Sequence, residues 1–94
     1  MAEKLTRTYS YDEETLYTKA KSELENKLKE KLASFNPEFD WNEANKSGKF
    51  KVMGVKGDVK IQGSTLTIEM KIPLTLKMMK GKIISSIERS LDKI

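Results

Sequence analysis

Ninety-four residues suffice for one domain, residues 1–94, built on one small core, with no room for a second. The chain has no cysteine and no histidine, which excludes disulfides, thiol nucleophiles and the usual zinc ligands and removes the commonest general base at neutral pH. Charged residues make up 34% and the net charge is +4, yet arginine supplies only Arg7 and Arg89; with so few guanidinium forks, a nucleic-acid partner is disfavoured.

The N-terminal stretch Met1 to Thr6 has no apolar signal core, and no apolar run is long enough to span a bilayer. A cytoplasmic protein with no membrane span is the expectation. No Asp-rich loop resembles a calcium or magnesium site, so no catalytic, cofactor or metal-ligating residue is assigned.

Leu5 to Tyr11 alternates Leu5, Arg7, Tyr9 and Tyr11 with Thr6, Thr8 and Ser10, which predicts a short opening strand whose polarity suits a sheet edge. Asp12-Glu13-Glu14 then opens a helix, with Asp12 or Ser10 as cap and the acids complementing the helix dipole. Leu16, Ala20, Leu24, Leu28 and Leu32 recur by fours and define its buried stripe, flanked by Tyr17 and Phe35. The charged residues between them form a solvated face with Glu23 to Lys27 and Glu25 to Lys29 pairs. Asn36-Pro37 ends the helix near Phe35.

Phe39 to Glu43 alternates again, turning Phe39 and Trp41 toward the core, and Ala44 to Gly48 makes the turn into Phe50. Two hairpins follow. Gly63-Ser64 is a two-residue turn that sets Ile61 opposite Leu66 and Val59 opposite Ile68 on one apolar face. Lys60, Thr67, Glu69 and Lys71 occupy the other face. Closing the earlier turn across Gly54 to Gly57 sets Val52 against Val59 and Phe50 against Ile61. Pro73 ends the last strand, and Leu76, Met79, Ile83, Ile87, Leu91 and Ile94 predict a helix over 74–94. Leu74, Met78 and Ile84 lie off that stripe, so the start of this helix is apolar around more of its girth than one sheet face can cover. Gly81 within it suggests close backbone approach.

From Trp41 onward the chain resembles the polyhydroxyalkanoic acid system protein family, small bacterial proteins encoded near polyester-storage genes. The matching residues are Trp41, Phe50 with Gly54 and Gly57 ahead of Val59 and Ile61, Met70-Lys71-Ile72, Leu74, Lys80-Gly81-Lys82-Ile83, Ile87 and Leu91-Asp92-Lys93. Two departures stand out. Family members often carry a histidine just before the first helix where this chain has Tyr9-Ser10-Tyr11, so no role of that histidine is carried over; many have Leu-Gly in place of Ile72-Pro73. The resemblance implies a non-catalytic association with polyester storage granules or their proteins.

Taken together, these features predict an α+β domain, a curved antiparallel sheet of about five strands in the order β-α-β-β-β-β-α with both helices on one face. The expected contact surface is the apolar lip and its lysines: Met70, Ile72, Leu74, Leu76, Lys77, Met78, Met79, Lys80 and Lys82. It would meet a polyester granule, a granule protein or, as a homodimer, its own copy. The same residues could instead complete the core. A rival expectation is a small hydrophobic-ligand carrier with a pocket between helix and sheet. An enzyme is disfavoured: its only candidates, Asp58, Glu69 and Tyr9 with Lys71, include carboxylates on an exposed face.

Overall fold

The computed structural model describes residues 2–94. Its elements are β1 (Ala2–Thr8), α1 (Glu13–Lys31), a 3-10 turn (Ala33–Phe35), β2 (Glu38–Asn42), β3 (Ser47–Val52), β4 (Val55–Gln62), β5 (Thr65–Lys71), a 3-10 segment (Leu74–Met79) and α2 (Lys80–Asp92). All five strands form one antiparallel sheet in the order β1-β5-β4-β3-β2. Both helices cover one face and the other is open, as the alternation predicts.

The β4–β5 hairpin has the expected register, Ile61 with Leu66 and Val59 with Ile68. Gly63 supplies the positive φ of 60° that the turn requires. The β3–β4 hairpin is tighter than expected. Met53 and Gly54 both take positive φ, 55° and 85°, the signature of a two-residue primed turn. Val52 therefore pairs with Val55 rather than Val59, and Phe50 with Gly57 rather than Ile61. The shift is an even number of residues, so every side chain keeps its face.

Gly57, expected in the turn, lies within β4 beneath the ring of Phe50. A Cβ there would come within 2.2 Å of that ring, and one on Gly48 within 2.3 Å of Trp41. The β2–β3 turn also closes sooner, on Lys46 at φ 49°, so that Ser47 and Gly48 belong to β3. At the N-terminus the strand starts at Ala2 and ends at Thr8, leaving Tyr9 and Tyr11 in the connection to α1.

Asp12 caps α1, its Oδ1 accepting from the Thr15 N–H at 2.7 Å. The predicted stripe of Leu16, Ala20, Leu24, Leu28 and Leu32 is buried throughout. Regular helix stops at Lys31 rather than near Phe35, because Leu32 leaves helical geometry (φ −126°) while keeping its side chain inside. Asn36 then adopts left-handed φ, which its short polar side chain tolerates, ahead of Pro37.

The C-terminal element is not one helix over 74–94. Leu74–Met79 winds as a 3-10 segment interrupted at Leu76 (φ −105°, ψ 18°), and α2 begins at Lys80. Gly81 sits in the first turn of α2, where an added Cβ would meet nothing within 4 Å; close approach is not its role. What allows α2 to pack tightly is instead the pair Ser86 and Ser90. Both are buried, with hydroxyls donating to Lys82 O at 2.9 Å and Ser86 O at 3.0 Å. Between helices and sheet, Leu16, Leu24, Leu28, Ile68, Ile83 and Ile87 are all fully buried and fill the space a carrier pocket would need.

Polar tethers fasten the helices to the sheet. Glu13 accepts from the Gly63 N–H at 2.9 Å, and the Ser64 hydroxyl donates to Tyr11 O at 2.6 Å. The Tyr9 hydroxyl donates to Leu91 O at 2.8 Å. Burial, foremost, raises the Tyr9 phenol above its ordinary value, so the neutral form is favoured in the fold. That contribution is whole below the ordinary phenol range and is lost as pH rises through the raised folded value. Tyr9→Phe should therefore cost about 1 kcal/mol at neutral pH through the lost hydrogen bond. Thermal melts of variant and parent should converge as the solution is made alkaline.

Candidate functional site

The 3-10 segment after β5 fixes where the predicted contact residues go. Met70 and Ile72 are each 1% exposed and belong to the core: alternation along β5 turns Met70 toward the helices, and Ile72, just past the strand's end at Lys71, keeps to the same side. Leu76 and Met79 are half-buried against that core. Leu74 and Met78 point outward, 73% and 98% exposed. A six-residue 3-10 segment with a break at Leu76 sorts its apolar side chains this way because its turns hold three residues. Leu76 and Met79, three apart, anchor inward, and Leu74 and Met78 are left outside.

Lys77 and Lys82 are exposed beside them, whereas Lys80 is partly buried and ion-paired to Glu3. The surface part of the expected set thus reduces to Leu74, Met78, Lys77 and Lys82, with Leu76, Met79 and Lys80 as its supports. The β3–β4 turn adjoins this lip, since a Cβ on Gly54 would lie 3.6 Å from Pro73 Cγ.

The corrected β3–β4 register reveals a second feature that the expected one hid. Lys51 pairs with Lys56 and Lys56 with Lys71, so three lysines stand side by side on adjacent strands of the open face. Like charges directly opposite one another are unfavourable in a sheet, and none of the three is held in an ion pair among the described residues. This row crosses the sheet at the end that carries the β3–β4 turn, Pro73 and Leu74. The two-residue spacing of Met53-Gly54 between Val52 and Val55 was the sequence signal for it.

The next row inward reads Lys4, Glu69, Asp58, Lys49, Asp40 across the strands. A groove of about 520 Å³ runs over β2, β3 and β4 between Glu38, Lys49, Lys51, Lys56 and Asp58. Asp58 and Glu69 face each other on this exposed surface, while Tyr9 is on the helix side with its hydroxyl on Leu91. The structure therefore gathers Asp58, Glu69 and Lys71 on the open face and sets Tyr9 apart from them on the other side of the sheet. Among the described residues no group of Asp and Glu converges on a cation site, and no helix is long and apolar enough to cross a membrane.

Trp41, which strand alternation turns toward the core, is half-buried at the sheet margin. Its indole N–H donates to Glu25 Oε1 at 2.5 Å, and its ring meets Tyr17 edge-on at 6.1 Å and stacks on Phe39 at 6.2 Å. These contacts latch β2 to α1.

Comparison with curated proteins and with solved structures finds no match. The family model of the polyhydroxyalkanoic acid system proteins matches residues 3–94, from the second residue of β1 to the last residue after α2, and the chain belongs to that family.

Proposed function

We propose that this chain is a non-catalytic accessory protein of the polyester-storage system that attaches to the granule surface, or to proteins on it, through Leu74 and Met78. The observation that carries this reading is the exposure of Met78, 98%, and Leu74, 73%, on a segment pinned by Leu76 and Met79. Large apolar side chains held outward at fixed positions gain by meeting an apolar partner, and methionine adapts to an irregular one. Lys77 and Lys82 flank them, and the Lys51, Lys56 and Lys71 row lies at the same end of the sheet, so an anionic boundary around the apolar contact would be favoured.

Replacing Leu74 and Met78 together by serine tests this. Burying two such side chains is worth roughly 1.5–3 kcal/mol each, so attachment to polyester particles should weaken by about a hundredfold or more. The thermal melt should stay near that of the parent, because neither side chain is in the core. A lowered melt with unchanged particle binding would reject the reading, as would no change in either property. In the latter case the open face with Lys60, Thr67, Glu69 and Lys71 becomes the surface to test.

A further inference from the structure

The outer edge of β1 is unpartnered among the described residues, and we infer that it is the pairing edge of a two-fold homodimer, two copies of β1 lying antiparallel about Leu5. This surface adjoins the lip only at Lys80, which pairs with Glu3, and the inference stands whether or not Leu74 and Met78 contact a granule.

The backbone sets the register. The Tyr9 N–H donates to Ser64 O at 2.8 Å, so the residues in step with Tyr9, namely Arg7, Leu5 and Glu3, spend their backbone groups on β5. Ala2, Lys4, Thr6 and Thr8 turn their N–H and C=O groups outward. Antiparallel pairing about Leu5 lets those outward groups bond in matched pairs, Lys4 with the partner's Thr6 and Ala2 with the partner's Thr8. Leu5 then meets the partner's Leu5 in a non-hydrogen-bonded pair, where side chains approach most closely.

Charge selects the same register. Glu3 falls opposite the partner's Arg7. Within each chain Glu3 is already ion-paired to Lys80, and Arg7 to Asp92 at 2.6 Å. Pairing about Leu5 therefore builds an alternating chain, Lys80, Glu3, the partner's Arg7, the partner's Asp92, and the two-fold repeats it. Centring the pair on Lys4 would set lysine against lysine, and centring it on Thr6 shortens the overlap and loses the Glu3–Arg7 match.

The opposite edge does not offer this. β2 is five residues long, follows Pro37 and carries Glu38 and Asp40, so pairing two copies about its centre places Asp40 against Asp40. By contrast β1 has seven residues with no proline and no bulge in its pairing to β5, the kind of edge that recruits another strand. The occupant that fits is a second copy of the same strand.

Sedimentation equilibrium over a concentration series tests the inference with two sets of variants. Thr6→Pro removes an outward N–H while leaving the β5 ladder intact, and should raise the dimer dissociation constant about tenfold or more. Glu3→Arg and Arg7→Glu, made in separate chains, should each give a monomer. Their equimolar mixture should dimerise, because every cross-pair is then of opposite sign. This second arm decides the matter even if Thr6→Pro folds poorly, with circular dichroism confirming that the charge variants are folded. A parent chain that remains monomeric into the high micromolar range would overturn the inference. So would a dimer that survives Thr6→Pro, or a mixture of the charge variants that stays monomeric.

Discussion

Ile68→Asp should abolish cooperative thermal unfolding. Ile68 is fully buried in β5, paired to Leu5 on one side and Val59 on the other, under both helices. Aspartate there forfeits the burial of a large apolar side chain and places a carboxylate where no cation faces it. Protonation would relieve the charge only by leaving a polar group among hydrocarbon. The combined cost is about 4 kcal/mol or more, comparable with the roughly 5–14 kcal/mol that a domain of this length possesses. Thr67→Asp is the matching control. One residue away, Thr67 points to the open face between Lys60 and Thr6, where a carboxylate next to lysine is neutral or slightly favourable. Circular dichroism melts of the two variants check the face assignment, and a cooperative melt of Ile68→Asp at the parent temperature would contradict it.

Most of the sheet could be read from the sequence because its strands alternate cleanly and the Gly63-Ser64 turn fixes a register. The α1 stripe was legible for the same reason, five apolar residues spaced by fours. Gly54 and Gly57 were harder. Two glycines three apart resemble a loop closed across both, yet they do different work: Gly54 completes a tight turn with Met53, and Gly57 makes room for a ring. Periodicity has no term for a glycine required by its cross-strand neighbour. Ser86 and Ser90 were invisible for a related reason, since a hydroxyl bonded to its own helix packs inside without looking apolar.

The candidate surface was legible only in outline. An excess of apolar residues after Pro73 pointed to the lip, but helical spacing could not say which of them faced out. That choice depends on the 3-10 winding and the break at Leu76, which turn Leu74 and Met78 outward and Leu76 and Met79 inward. Met70 and Ile72 adjoin the lip in the chain, but the alternation that buries Ile68 carries through to both of them. The lysine row could not be seen at all without the β3–β4 register, because Lys51, Lys56 and Lys71 come together only when Val52 pairs with Val55.

Gly57→Ala should destabilise the fold by about 2–3 kcal/mol, against the ordinary gain that alanine brings to a strand. The added methyl would sit 2.2 Å from Cε1 and Cζ of Phe50, so one of the two must move. The ring is poorly placed to do so, being 3% exposed and packed against Phe39 at 6.5 Å. Gly48→Ala makes a similar clash with Trp41, but that ring is half-exposed on the edge strand β2 and can swing outward. Its cost should be smaller and should appear as a loosened contact between β2 and α1. A double-mutant cycle with Phe50→Ala isolates the cause. Once the ring is truncated, Gly57→Ala should become neutral or mildly stabilising, giving a coupling of at least about 1 kcal/mol between the two sites. Additive losses in urea denaturation would mean that Gly57 is needed for its own backbone, and the ring-over-glycine account of the β3–β4 pair would fail.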